Sequence, residues 1–187
     1  MSNYITILGI DPGIHNCGFS YNKYDPKTGV MTVADYFVIH AAETAKKENK
    51  DESKQYGNVF SLFILEREFS KIVENYHPHY IACEDAFYSP RTPNAFISLK
   101  LCINAMQRVL YHEYRKELFR IPPKLAKMTI SEAGANKVAI QEAVRSKPDI
   151  KLKDTKIRPL DAMTEHEADS ISIAYTFVKQ ILPNLKI

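Results

Sequence analysis

The first forty residues have the short hydrophobic spacing of β-strands. Residues 4 to 10 form an apolar, β-branched run typical of a buried strand. Two further strand patterns, CGFSYNKY and VMTVADYFVI, are joined by DPKTG, whose proline and glycine favour a turn. The pattern therefore predicts an antiparallel meander of three strands.

Helical spacing begins after this meander. Residues 41 to 56 are polar and charged, which predicts a solvent-facing loop and the start of a helix. Helical spacing then continues until Pro78 ends the helix, at Leu62, Leu65, Phe69, Ile72 and Val73. YIACED and LFRIPP predict two further short strands, the second ended by its two prolines. Helices are expected near residues 135 to 146 and from about Glu165. Between those strands a helix opens at Pro93, and its predicted inner face comprises Phe96, Leu99, Cys102, Ile103, Met106, Val109 and Leu110.

This order of elements, βββαβαβαα, predicts a single α/β domain over residues 1–187. Strands that come first as a hairpin and then alternate with helices are typical of a mixed sheet. We expect five strands, with the three-stranded antiparallel meander followed by two parallel strands, flanked by helices.

Composition and the N-terminal residues bear on the cellular compartment of the protein. No apolar run approaches the roughly 18 residues that span a bilayer. MSNYITIL has no basic region before its apolar run and no small-residue cleavage site, so no signal peptide is expected. The three cysteines have no CxxC spacing and are expected to be reduced, packed thiols. These features predict a cytoplasmic protein, or one of the host cytoplasm if a phage encodes it.

Positive charge is concentrated in one part of the chain. Residues 112 to 158 hold twelve Lys and Arg against six Asp and Glu, a net +6 in a chain whose total is +3. Such a segment is typical of a polyanion-binding face, and equally of a solvated lysine-rich surface. Charge alone does not distinguish a polyanion-binding face from a solvated surface.

Two carboxylates are expected to meet at the sheet. Asp11 and Glu84 each stand at the carboxyl end of a predicted strand, and the two strands are expected to pair in parallel. The adjacent Asp85 is an alternative to Glu84 as the inward residue. On the last helix, His166 and Asp169 share a face. Glu165 also shares a face with Asp169, so it is an alternative to His166 as the ligand beside Asp169. Clustered carboxylates with one imidazole suit Mg²⁺ or Mn²⁺, and with a basic surface nearby they indicate phosphodiester hydrolysis.

Four blocks of sequence carry a family resemblance: ILGIDPGIHNCGFS, ACEDAFYSPRTPNAFISLKL, IPPKLAKMTISEAGANKVAIQEAV and EHEADSISIAY. Together and in this order they resemble the RuvC-type Holliday junction resolvases, which have a ribonuclease H-like fold. The resemblance covers nearly the whole chain. It implies a structure-specific DNA endonuclease that resolves four-way junctions by paired symmetric nicks.

The resemblance also implies roles for individual residues. Asp11, Glu84 and Asp169 fall on the family's catalytic acids and would bind two Mg²⁺ ions, with Mn²⁺ also supporting activity. His166 stands where many members have Asp, and would ligate a metal or accept a proton. The implied DNA contacts are Phe87, Lys127 and Lys137, of which Lys137 also falls on a functional lysine. Arg145 and Lys147 begin a basic stretch before the last helix and are predicted as further DNA contacts.

Some of these positions have plainer explanations. The lysines could be solvated, and Phe87 could be a core aromatic rather than a base-stacking residue. A homodimer is implied, with the helix over residues 94 to 112 as its interface, although the same apolar positions could be intramolecular core.

Three alternative functions remain on sequence alone. The same residues would serve a ribonuclease H-like nuclease acting on flaps, forks or structured RNA. A junction-binding module with a degenerate site would need no catalysis, and the presence of all three acids argues against it. A sugar-kinase-like ATPase would need a second, glycine-rich phosphate motif, which the sequence lacks.

Overall fold

A six-stranded mixed sheet organises the protein in this computed structural model, which describes residues 4–131, 137–153 and 162–185. The strands are β1 (Ile5–Asp11), β2 (Asn16–Asp25), β3 (Val30–His40), β4 (Tyr80–Glu84), β5 (Leu118–Ile121) and β6 (Ile150–Leu152). In spatial order they run β5-β4-β1-β2-β3-β6. β1 and β2 pair antiparallel, as do β2 and β3, and the remaining neighbours are parallel.

The sheet confirms the mixed α/β architecture but corrects the strand count. The meander and the two following parallel strands are as predicted, whereas β6 is a sixth strand beside β3, with Met31 opposite Ile150. It was missed because three residues in a basic segment are too short to show a period-two pattern. Its pairing partner also lies more than one hundred residues away in sequence, so no local signal marks it.

Helices cover both faces of the sheet. They are α1 (Ala41–Glu48), α2 (Lys50–Tyr56), α3 (Asn58–Tyr76), α4 (Pro93–Val109), α5 (Pro123–Ile130), α6 (Lys137–Ser146) and α7 (Glu165–Thr176). α1 and α2 occupy the charged stretch predicted as loop and helix start, and α5 was not predicted. The proline pair in IPPK was interpreted as the end of β5, but Pro123 is the first residue of α5, where its missing N–H costs nothing. Across the three described ranges, no helix is both long and apolar enough to cross a membrane.

The sheet separates two hydrophobic cores. Residues of β1 alternate between them: Ile7 packs with α5, α6 and α7, whereas Leu8 and Ile10 pack with α1, α3 and α4. The second core also contains three free, buried cysteines, Cys17, Cys83 and Cys102. Burial raises the pKa of the Cys17 and Cys83 thiols.

α7 lies directly on the sheet because two glycines face it. A Cβ at Gly9 would stand 2.1 Å from the backbone oxygen of Ser170, and one at Gly18 would stand 2.2 Å from that of His166. The helix begins in a capping box, in which the Thr164 side chain accepts from the backbone N–H of Glu167 and the Glu167 carboxylate accepts from that of Thr164. The start of α7 is thus held against β1 and β2.

Gly18→Ala is expected to destabilise the protein by about 2 kcal/mol, because the clash is with helix backbone that cannot rotate away. Gly29→Ala is the control, since it has a φ of 70° and open space around it. That change should cost about 1 kcal/mol through backbone strain alone. Urea unfolding of both variants measures the difference, and equal losses would contradict close packing of α7.

Candidate active site

Two acids end neighbouring strands at one edge of the sheet. β1 and β4 run parallel with Ile10 beside Cys83, so Asp11 and Glu84 follow at the same level. Alternation along each strand directs both side chains to the face that α7 covers. Asp85 is the next residue and belongs to the opposite face, where its carboxylate pairs with Lys100 of α4 at 3.0 Å.

α7 adds a histidine and a third acid to this edge. The Nδ1 atom of His166 lies 2.6 Å from Oδ2 of Asp11, whose side chain is largely buried. The other ring nitrogen of His166, Nε2, is 3.9 Å from Oε1 of Glu165. His166 and Glu165 are the two candidates for a fourth ligand beside the three acids. Both therefore lie at the site, and His166 is the one in contact with Asp11.

Negative charge accumulates among the three acids. Burial, together with the charges of Asp11 and Asp169, raises the pKa of Glu84 to about 8. Burial and Asp11 likewise raise the pKa of Asp169 to about 6. The hydrogen bond to Asp11 raises the pKa of His166 against the opposing effect of burial. The acids are thus close enough to disfavour each other's ionisation.

A cleft of about 240 Å³ opens beside Glu84 and Asp169. Lys127, at the end of α5, lines this cleft, and its charge lowers the pKa of both acids. Phe87 also lines it, with 72% of its surface exposed, so the alternative of a core aromatic is wrong. A cationic and an aromatic side chain therefore face the same opening as the acids.

The donor set fits a divalent cation. Three mutually repelling carboxylates and one imidazole are hard or borderline ligands, and a cation between them would relieve the repulsion that raises their pKa values. In the ranges that the structure describes, no three His, Cys, Asp or Glu side chains stand in a ready-made coordination geometry. Asp11 instead directs one oxygen to His166.

The other basic residues predicted from the sequence are placed differently. Lys137 is the first residue of α6, and its side chain lies outside the described part of the structure. Arg145 is exposed in the last turn of α6. The ammonium of Lys147 lies over the ring of Tyr175, 5.6 Å from its centroid. Tyr175 is six residues beyond Asp169, roughly 9 Å along the helix, so a DNA contact by Lys147 stays a prediction.

Two features that shape the site were not predicted. The capping box of α7 has the sequence signature Thr-x-x-Glu, which was available in TEHE of residues 164–167. The Asp85–Lys100 pair has no local signature, because fifteen residues separate its members and only the packing of α4 brings them together.

A larger groove of about 520 Å³ lies between α3 and α4 but is a weaker candidate for chemistry. Its charged groups largely neutralise one another: Arg108 pairs with Glu66, and Arg67 pairs with Glu48 and Glu68. No cluster of like charges comparable to the acids is found there among the described residues.

Comparison with known proteins agrees with this site. The sequence model of the family described as "Crossover junction endodeoxyribonuclease RuvC" matches residues 7–177. A relative of that name from Helicobacter hepaticus is 26% identical over 178 residues, covering 95% of this chain and 85% of the relative. One from Alkaliphilus oremlandii is 26% identical over 171 residues, covering 91% and 93%.

Solved structures share the fold. The Thermus thermophilus RuvC structure superposes with a TM-score of 0.66 at 18% identity, covering 92% of each chain. The structure of T. thermophilus RuvC in complex with Holliday junction substrate gives a TM-score of 0.64 at 17% identity, again covering 92% of each chain. With the family's sequence model matching nearly the whole chain, from β1 through α7, this protein belongs to the RuvC family of crossover junction endodeoxyribonucleases.

Proposed function

We propose that this protein is a structure-specific endonuclease that resolves Holliday junctions by hydrolysing phosphodiester bonds. The observation that carries the proposal is the convergence of Asp11, Glu84 and Asp169, with His166 against Asp11, beside an open cleft. Membership of the RuvC family supports four-way junctions as the substrate. The activity is expected in the cytoplasm, or in the host cytoplasm if a phage encodes it.

Divalent metal ions would be held by Asp11, Glu84 and Asp169, with His166 as a further ligand. When bound, two Mg²⁺ or Mn²⁺ ions would supply an activated water and stabilise the leaving oxygen of the phosphodiester. The carboxylates provide the negative charge that would hold these ions. Their mutual repulsion disfavours the buried, ionised forms, and a bound cation would neutralise that repulsion.

His166 has a defined orientation in this scheme. An ionised carboxylate only accepts hydrogen bonds, so Nδ1 of His166 donates to Asp11. In the neutral imidazole this leaves Nε2 with the lone pair, available either to a metal or to a proton from the attacking water. The contact also holds the Asp11 carboxylate in one orientation.

The rim of the cleft supplies contacts to DNA. Lys127 would bind a phosphate beside the acids, and Lys137 and Arg145 are proposed as further phosphate contacts from α6. Phe87 would stack on an unpaired base at the junction, which its exposed ring allows.

A second copy of the chain would complete the active form. A four-way junction has two-fold symmetry and must be cut on two strands, which suits a C2 dimer with one site in each subunit. The exposed side chains of Ile97 and Leu101 on the outer face of α4 support this helix as the interface.

Asp11→Asn and Glu84→Gln should each slow cleavage of a mobile four-way junction by about 100-fold or more while leaving junction binding largely intact. Each change removes one charge at the centre without altering shape. Asp85→Asn is the matched control and should stay within about tenfold of the wild type, because Asp85 belongs to the other face. Mapping the cuts on all four strands, with Y-forks, flaps and RNA hybrids as competitors, measures both rate and substrate. Equal loss from Glu84→Gln and Asp85→Asn would refute the register of β4.

Glu84→Gln should also stabilise the metal-free protein. A carboxyl group with a pKa near 8 when folded and near 4.5 when unfolded binds its proton more tightly in the folded state, so wild-type stability falls as pH rises between these values. At pH 7 with a chelator, the glutamine variant should gain about 3 kcal/mol, and the gain should vanish near pH 4.

Urea unfolding at both pH values measures this effect. Glu74→Gln, at an exposed position of α3, serves as the control and should change little. Added Mg²⁺ should stabilise the wild type more than the Glu84→Gln variant. A glutamine variant no more stable than wild type at pH 7 would argue against charge repulsion in the site.

His166→Ala should lose most cleavage activity, whereas His166→Asp should retain activity and shift the preference from Mn²⁺ toward Mg²⁺, because imidazole is the softer ligand. In the wild type, Mn²⁺ should support cleavage at least as well as Mg²⁺. Glu165→Gln is the control on the same turn of α7 and should be milder. An inactive Glu165→Gln beside a fully active His166→Ala would assign the fourth position to Glu165 instead.

A further inference from the structure

Two consecutive residues in the loop between β4 and α4 carry exposed aromatic side chains. Phe87 is 72% exposed and Tyr88 is 56% exposed, which is unusual for consecutive large rings. Phe87 lines the cleft that holds Glu84 and Asp169. The loop thus presents a large apolar surface at the rim of the candidate active site.

Contacts with the first two turns of α4 brace this loop at its start and near its middle. Near its start, Oδ1 of Asp85 accepts from the ammonium of Lys100 at 3.0 Å and from the backbone N–H of Ala86 at 2.9 Å. Farther along, the ring of Tyr88 meets the ring of Phe96 edge-on, with centroids 5.6 Å apart and planes at 90°.

Lys100 connects the two contacts. Phe96 and Lys100 are four residues apart and share one face of α4. The ammonium of Lys100 lies 5.7 Å from the centroid of the Phe96 ring while it pairs with Asp85. Its side chain and that of Asp85 are about one-third exposed, so water screens this pair less than a fully exposed one.

We propose that Lys100 is a positioning residue, which through Asp85 and Phe96 holds Phe87 and Tyr88 together as one stacking surface for unpaired bases at the rim of the cleft. Lys100 itself need not touch DNA. The inference rests on the proposed junction-cleaving function and assigns part of its substrate geometry to α4. Because a displacement of about 1 Å in a reacting geometry can cost up to 100-fold in rate, loosening the loop should be visible in the chemical step.

Lys100→Met keeps the aliphatic stem and removes the charge. Its single-turnover rate of junction cleavage should fall by about tenfold, while junction affinity changes by less than about threefold. The fluorescence change of 2-aminopurine placed at the crossover, measured on binding without divalent ions, should diminish because the base is no longer held against the rings. Lys100→Arg, which keeps the charge, should restore most of the rate and of the fluorescence change.

A double-mutant cycle tests whether Asp85 and Lys100 act together. Asp85→Asn should show the same defect as Lys100→Met, and the double variant should be no worse than either single one. Lys71→Met breaks a comparable 2.9 Å pair with Glu68 on α3, away from the loop, and should alter neither the rate nor the fluorescence.

The outcomes separate this proposal from the function on which it rests. A wild-type protein that does not cut four-way junctions overturns the proposed function. A wild-type protein that cuts, beside a Lys100→Met variant with unchanged rate and fluorescence, overturns the positioning role alone. A Lys100→Met variant with a sharply lowered urea midpoint that Lys100→Arg does not restore would show a merely structural role and would also overturn it.

Discussion

The direct contact of α7 with β1 and β2 is the constraint on which the site depends. Gly9 and Gly18 let helix backbone approach strand backbone with no side chain between them. At that distance the imidazole of His166 reaches Asp11, and Asp169 lies close enough for its charge to be felt at Glu84. The capping box starts the helix at this level. Strand ends and a helix start, distant in sequence, are thereby assembled into one centre.

A charge conflict is built into that centre. Burying these acids beside one another destabilises the metal-free fold, because their charges repel. A cation bound on this face of the sheet would offset that repulsion. One residue later the conflict disappears, because Asp85 turns to the other face and meets Lys100. The adjacent acids Glu84 and Asp85 therefore lie in opposite environments, and strand alternation is what separates them.

The strand ends of this site could be predicted from sequence because they depend on local patterns. Apolar runs end at Asp11 and Glu84, and helical spacing places His166 and Asp169 on one face. The sixth strand and the cation–π contact between Lys147 and Tyr175 depend on distant packing, which no local pattern encodes. α5 is different: its prolines were visible but were interpreted as the end of a strand rather than the start of a helix. Whether a lysine in the basic segment faces the acids, as Lys127 does, depends on the same tertiary packing.

The reactivity of the three buried cysteines depends on how often the second hydrophobic core opens to solvent. Cys17 and Cys83 lie on strands beside the edge that carries the candidate site, and Cys102 faces them from α4. Burial hides each sulfur from reagents, and for Cys17 and Cys83 it also keeps the thiolate scarce. Alkylation must therefore wait until the helices over this core separate from the sheet or the whole fold opens, so its rate under native conditions measures how often that separation occurs.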